Sequence, residues 1–170
     1  NACISASYTF SNIAKRHINT VLASEFRNYE DFLTKDSLVI CLSQSGETAD
    51  VIDAINYAKK HNCKTIGIIN VMGSTLTRLC DKTIMMNVGP EISVVSTKAY
   101  TAELAILTLL IYSLAGKLDE GKELIKKAAH EIPTIISKNE NTLKDLALQM
   151  KNKHDLFLIG RDLAYPSALE

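Results

Sequence analysis

Apolar and polar residues along this chain separate into short continuous apolar runs and longer periodic stretches. Ser37 to Leu42 reads S-L-V-I-C-L, a run of the kind that forms a strand covered on both faces in a parallel sheet. Ala49 to Lys60 then carries apolar residues at Val51, Ile52, Ile55 and Ala58, which lie along one face of a helix. Lys64 to Ile69 (K-T-I-G-I-I) predicts a second buried strand, and Gly73-Ser74 a turn and N-cap for a short helix ending near Cys80. Lys82 to Val88 predicts a third strand, closed by Gly89-Pro90. Strand, helix, strand, short helix, strand is the order of a right-handed parallel βαβ series, which places the chain in the α/β class.

The next segment, Val94 to Lys117, joins a polar opening (Ser96, Thr97, Lys98) to the most hydrophobic run of the chain, Leu104 to Ala115. That run is bounded by Glu103 and Lys117 and falls short of the ~20 residues of a membrane span, so it predicts a core helix. Leu118 to Lys153 is helical and more charged, with Pro133 expected to divide it into two amphipathic helices. Asp155 to Gly160 (D-L-F-L-I-G) reads as a fresh strand, followed by a polar turn at Arg161-Asp162. A strand that opens a new unit without partners in the remaining sequence suggests truncation at Glu170.

Composition narrows the function classes. Hydrophobic residues make up 46% and charged residues 22%, enough for a packed α/β domain with attachments. Lys+Arg and Asp+Glu each number 19, so no global charge favours nucleic acid or a membrane surface, and binding is expected to be local. The four cysteines (Cys3, Cys41, Cys63, Cys80) form no C-x-x-C pair, and no histidine stands at metal-ligand spacing, so reduced thiols, no metal and a cytoplasmic location are expected. Asn1-Ala2-Cys3 shows no charged leader with an apolar core.

The candidate chemistry lies in Ser43-Gln44-Ser45-Gly46-Glu47-Thr48, between the first strand and its helix. In open α/β sheets ligands bind at the carboxyl ends of strands, where the free N–H groups of the following helix point. The hydroxyls of Ser43, Ser45 and Thr48, the Gln44 amide and a glycine that lets backbone approach closely make a lysine-free cradle suited to a phosphate monoester. The competing reading is an ordinary N-cap in which Ser45 or Thr48 satisfies helix N–H groups. The polar opening at Ser96 to Lys98 is expected at the same sheet edge.

Four motifs in order, A-S-E-F-R from Ala23, L-S-Q-S-G-E-T-A-D from Leu42, N-V-x-G-S from Asn70 and V-S-T-K-A-Y-T from Val95, resemble the sugar isomerase (SIS) region of the glutamine:fructose-6-phosphate amidotransferase family. The closing F-L-I-G-R-D-x-x-Y-P-S-A-L-E resembles the opening of that family's second SIS domain. The resemblance implies a flavodoxin-like parallel sheet with flanking helices over residues 1–118, linking helices over 119–153 and the start of a second SIS domain over 154–170. It implies that Ser43, Gln44, Ser45 and Thr48 hold the phosphate of fructose 6-phosphate or glucosamine 6-phosphate. Val95 and Ser96 would line the sugar, together with Ser7. Thr97 and Lys98 match the motif but read as a helix cap and a solvated cation. A homodimer in the complete enzyme and no cofactor are also implied.

Two departures stand out. Where the family reads C-G-T-S-Y after a first strand, this chain has Cys3-Ile4-Ser5-Ala6-Ser7-Tyr8 with no preceding strand, and the interval from Ser7 to Ala23 is short by about two helical turns. The family's acid-base glutamate, lysine and ring-opening histidine all match positions beyond Glu170, and Glu170 itself matches the glutamate of the A-L-E motif that precedes the catalytic one. No catalytic residue is therefore assigned here, and Cys3 is not the glutaminase nucleophile. A free-standing sugar-phosphate isomerase or amino-sugar-phosphate deaminase, and a non-catalytic sugar-phosphate sensor, stay open as alternatives.

Overall fold

The computed structural model describes residues 1–92 and 96–170, in two compact units: Asn19–Ile106, and Asn1–Ile18 with Leu107–Glu170. In the Asn19–Ile106 unit, β1 (Leu38–Ser43), β2 (Lys64–Ile69) and β3 (Lys82–Met85) form a parallel sheet in the order β1-β2-β3. β1 pairs with β2 from Leu38↔Lys64 to Ser43↔Ile69, and β2 with β3 from Ile66↔Lys82 to Ile69↔Met85. This is the parallel α/β architecture the apolar runs predict.

Helix α1 (Ala2–Thr9) belongs to the other unit, and α2 (Ala49–Lys60) and α3 (Thr75–Leu79) pack on the sheet. Alternation along each strand sends Cys41 and Ile69 to the face where Ile55 of α2 and Leu76 of α3 close the core, with Cys80 beside them. Each of the fully buried aliphatic side chains Ile55, Ile69 and Leu76 contributes about 1.5–3 kcal/mol by leaving water. Gly67 fits this layer because a Cβ there would crowd the Cys80 thiol, 3.1 Å away, and the Ile69 side chain. A 3₁₀ helix at Ala23–Phe32 packs on α2, where Glu30 Oε1 meets His61 Nε2 at 3.2 Å.

At the amino ends of the strands, Asp81, just before β3, is bound to Thr65 at the start of β2. Its Oδ2 accepts the Thr65 N–H (2.8 Å) and the Thr65 hydroxyl (3.0 Å), and its Oδ1 pairs with Lys59 Nζ (3.1 Å). These donors, the Thr65 N–H foremost, hold the Asp81 carboxyl down to about 2.

The third strand is shorter than expected, ending at Met85 rather than Val88. Asn87 adopts φ +55, which ends the extended run, and Asn70 takes over: its Oδ1 accepts the Val88 N–H (3.1 Å) and its Nδ2 donates to Gly89 O (2.7 Å).

In the other unit α4 (Lys98–Leu114), within which the division between units falls, is closed by Gly116 at φ +72. The Lys117 N–H reaches Tyr112 O (2.8 Å) and the Gly116 N–H reaches Ser113 O (3.0 Å), a left-handed cap that satisfies the last carbonyls. Helix α5 then runs unbroken over Leu118–Met150, so the expected division at Pro133 does not occur. Proline removes one N–H, the partner of the Ala129 carbonyl; that residue is exposed, so water can replace the donor and the helix continues. Asp155 to Gly160 is not a strand either: it has no ladder partner among the described residues, and Leu156, Phe157, Leu158 and Ile159 are exposed. The short α6 (Ala164–Leu169) packs against α1, and Asn1 Nδ2 donates to Glu170 Oε2 (3.0 Å). Among the described residues no helix is long and apolar enough to cross a membrane.

Candidate functional site

The turn from β1 to α2 is built by its own side chains. Ser43, the last residue of β1, is 6% exposed, and its Oγ accepts the Gly46 N–H at 3.0 Å. The same Oγ lies 3.1 Å from Thr48 Oγ1, in a hydrogen bond that closes a ring across the turn. Ser45 Oγ accepts the Glu47 N–H at 3.1 Å and retains its own proton as a donor. Gln44 and Ser45 are half-buried, while Glu47 and Thr48 are exposed. Gly46 sits at φ +68, and a Cβ there would overlap the Ser74 hydroxyl.

The ordinary N-cap reading is tested by where the hydroxyls go. Thr48 is the residue preceding α2, yet its side chain makes no capping bond and turns to Ser43 instead. The first helical bond runs from the Ile52 N–H to Thr48 O (3.0 Å). The N–H groups of Ala49, Asp50 and Val51 thus have no side-chain cap from Thr48, at the positive end of a helix dipole. That arrangement can receive an anion.

A second turn abuts the first. The Leu76 N–H donates to Gly46 O (3.0 Å) and the Thr75 N–H to Glu47 Oε1 (2.7 Å), so the start of α3 is docked on the β1–α2 turn. Hydrogen bonding from the Thr75 hydroxyl and N–H, helped by the Arg78 charge, holds the Glu47 carboxyl below its ordinary range. Arg78 in turn donates to Gly73 O and to Thr75 Oγ1. Ser74 is buried, and its hydroxyl has no hydrogen-bond partner among the described residues.

The remaining expected site residues are more dispersed. Ser96 is half-buried just before α4, and Val95 lies outside the described residues. Thr97 O accepts the N–H (3.3 Å) and the hydroxyl (3.2 Å) of Thr101, as a residue opening a helix does. Lys98 is exposed and donates to Pro90 O (2.7 Å), so it holds the segment after Gly89 as well as meeting water. Ser7 lies on α1, in the other compact unit, and its hydroxyl donates to Ile4 O (2.7 Å).

Glu47, Ser74 and Asn70 stand inside the quoted motifs, with Ser74 expected as an N-cap, but sequence reasoning gave none of them a role at the site. Glu47 and Asn70 bond to segments far along the chain, as in the Glu47 to Thr75 bond across 28 residues, and no local spacing signals such a bond. Among the described residues no group of His, Cys, Asp and Glu could hold a metal ion. A surface groove of about 560 Å³ lined by Asp53, Asn56, Tyr57, Lys59 and Lys60 lies on the later part of α2, away from its amino end. The Tyr57 ring there is already stacked under Lys60, whose Nζ is 4.8 Å from its centroid.

A parallel sheet with packed helices and a hydroxyl-lined strand-to-helix turn without a side-chain cap defines an α/β domain. The comparisons name its family: residues 1–113 match the SIS domain, and the chain belongs to that family. It is 39% identical over 178 aligned positions to the glutamine–fructose-6-phosphate aminotransferase (isomerizing) of Thermococcus kodakarensis, covering 100% of this chain and 30% of the relative. It is 41% identical over 179 positions to the enzyme of that name from Vibrio vulnificus, covering 100% of this chain and 29% of the relative. The chain thus spans about 30% of the length of the curated relatives it matches. Among solved structures, the C-terminal domain of glucosamine-fructose-6-phosphate aminotransferase from Francisella tularensis superposes with TM-score 0.83 at 33% identity, covering 98% of this chain and 49% of that one.

Proposed function

We propose that this chain is the sugar-phosphate-binding part of the isomerase region of a cytoplasmic glutamine–fructose-6-phosphate aminotransferase (isomerizing). The complete enzyme takes ammonia from glutamine, adds it to fructose 6-phosphate and isomerises the product to glucosamine 6-phosphate for amino-sugar synthesis. One observation carries the reading: the uncapped amino end of α2 meets the hydroxyls of Ser43, Ser45 and Thr48 around Gly46. The names of relatives aligned over the whole chain support the substrate.

In this reading Ser43, Gln44, Ser45 and Thr48 hold the phosphate, and Val95, Ser96 and Ser7 line the sugar. The phosphate is an anchor: neutral donors and the helix dipole fix one end of the substrate so that its reacting carbons meet groups elsewhere in the enzyme. Proton transfer and glutamine hydrolysis belong to residues outside this chain. Residues 154–170 open a second SIS domain, and the complete enzyme is a homodimer.

Calorimetry tests the anchor. Fructose 6-phosphate should bind and fructose should not. Ser45→Ala and Thr48→Ala should each weaken fructose 6-phosphate by about 1–2 kcal/mol, the scale of one hydrogen bond to a charged group. Unchanged affinity in both variants overturns the assignment. The chain alone should make no glucosamine 6-phosphate from fructose 6-phosphate and ammonia, since loss of acid-base catalysis alone costs about 10²–10⁴-fold.

A further inference from the structure

We propose that Glu47 is a positioning residue that latches the phosphate turn to the amino end of α3, holding the turn's donors in the geometry that receives a sugar phosphate. The inference rests on the reading of Ser43–Thr48 as the phosphate site. Its starting point is an apparent conflict: a turn suited to a dianion carries a carboxylate in its middle. Like charges in one turn repel, so a free carboxylate there would oppose the ligand.

The geometry resolves the conflict. Glu47 Oε1 accepts the Thr75 N–H at 2.7 Å, committing the carboxylate to α3, where the Arg78 charge also stabilises it. A second bond runs beside it, from the Leu76 N–H to Gly46 O at 3.0 Å. Two adjacent residues of the turn are thereby tied to two adjacent residues of α3. Gly46, at φ +68, lets the backbones close together, with the buried Ser74 side chain filling the place of a Cβ.

The consequence is a rigid link between the β1–α2 and β2–α3 turns. The Glu47 N–H already goes to Ser45 Oγ, so the residue that grips α3 also orients one of the phosphate hydroxyls. Releasing the carboxylate frees Glu47, loosens Ser45 and returns a negative charge to the site. Preorganised donors bind better than donors that must be ordered on binding.

The test uses the whole chain with Glu47→Gln and Glu47→Ala, fructose 6-phosphate calorimetry, and the amide proton shift of Thr75 followed against pH. Glu47→Ala should weaken fructose 6-phosphate about tenfold. Glu47→Gln keeps an acceptor oxygen and should restore affinity to within about threefold of the parent. The Thr75 amide should titrate with a carboxyl midpoint below the ordinary glutamate range in the parent and lose that step in both variants. Equal affinity of parent and Glu47→Ala overturns the latch. So does equal loss in both variants, or a lowered thermal midpoint without a difference in affinity, which would mark a merely structural contact. A parent that binds no fructose 6-phosphate overturns the phosphate reading and the purpose given to the latch, a result distinguishable from failure of the latch alone.

Discussion

Two segments of this chain carry the same sequence signal and end differently. L-V-I-C-L-S-Q-S-G and L-F-L-I-G-R-D each run apolar residues into a polar turn. The first is β1, paired along its length with β2, its Cys41 in the core and its turn closed by hydrogen bonds. The second pairs with no strand among the described residues, and Leu156 to Ile159 are between 61% and 94% exposed. An apolar run therefore states a demand for burial, and neighbouring strands decide whether it is met.

The largest expected effects test that contrast directly. Ile55→Ala removes a fully buried side chain from the core between sheet and α2 and should cost about 2–5 kcal/mol in urea unfolding. Phe157→Ala removes a larger side chain that is 89% exposed and should change stability by about 0.5 kcal/mol or less. Equal losses would mean that the 155–160 segment is packed in solution and the contrast is false.

Next come the glycines. Gly46 and Gly89 share the left-handed conformation, at φ +68 and +71, but only Gly46 has neighbours against a would-be Cβ. Gly89→Ala should cost about 1–2 kcal/mol, the ordinary penalty of that backbone region. Gly46→Ala should exceed it by about 1–3 kcal/mol, because Ser74 and the start of α3 must move as well. Matching losses from thermal unfolding of the two variants would show that α3 is not seated on the turn.

How much could be read in advance follows the range of each interaction. Ala49–Lys60 and Lys64–Ile69 fall where the periodicity places them, since amphipathic face and apolar run are local signals. The position of Ser43, Gln44, Ser45 and Thr48 at a strand-to-helix junction was legible for the same reason. The early end of β3 was not, because it depends on Asn70 reaching across to Val88 and Gly89. Nor was the passage of α5 through Pro133, which turns on the solvent exposure of a carbonyl four residues earlier. Glu47 looked like one more polar residue of the turn until α3 supplied its partner.

The smallest effects compare two ion pairs of similar geometry. Asp81 and Lys59 meet at 3.1 Å, Glu140 and Lys144 at 2.8 Å, and all four side chains reach water. Asp81 is also bound by the Thr65 N–H and hydroxyl, whereas Glu140 faces Lys144 on the open surface of α5. The Asp81 carboxyl is held to about 2, below the ordinary 3.8, so the folded state binds a proton there less readily than the unfolded chain. The stability this contributes is present above about pH 4 and is lost as pH falls towards about 2. Asp81→Asn should therefore flatten the fall in urea midpoint across that window relative to the parent. Lys144→Ala should change the unfolding free energy by no more than about 0.5 kcal/mol at neutral pH. If Asp81→Asn keeps the parent's full acid sensitivity, the Thr65 bonds do not set the carboxyl's affinity, and Asp81 is one more surface charge like Glu140.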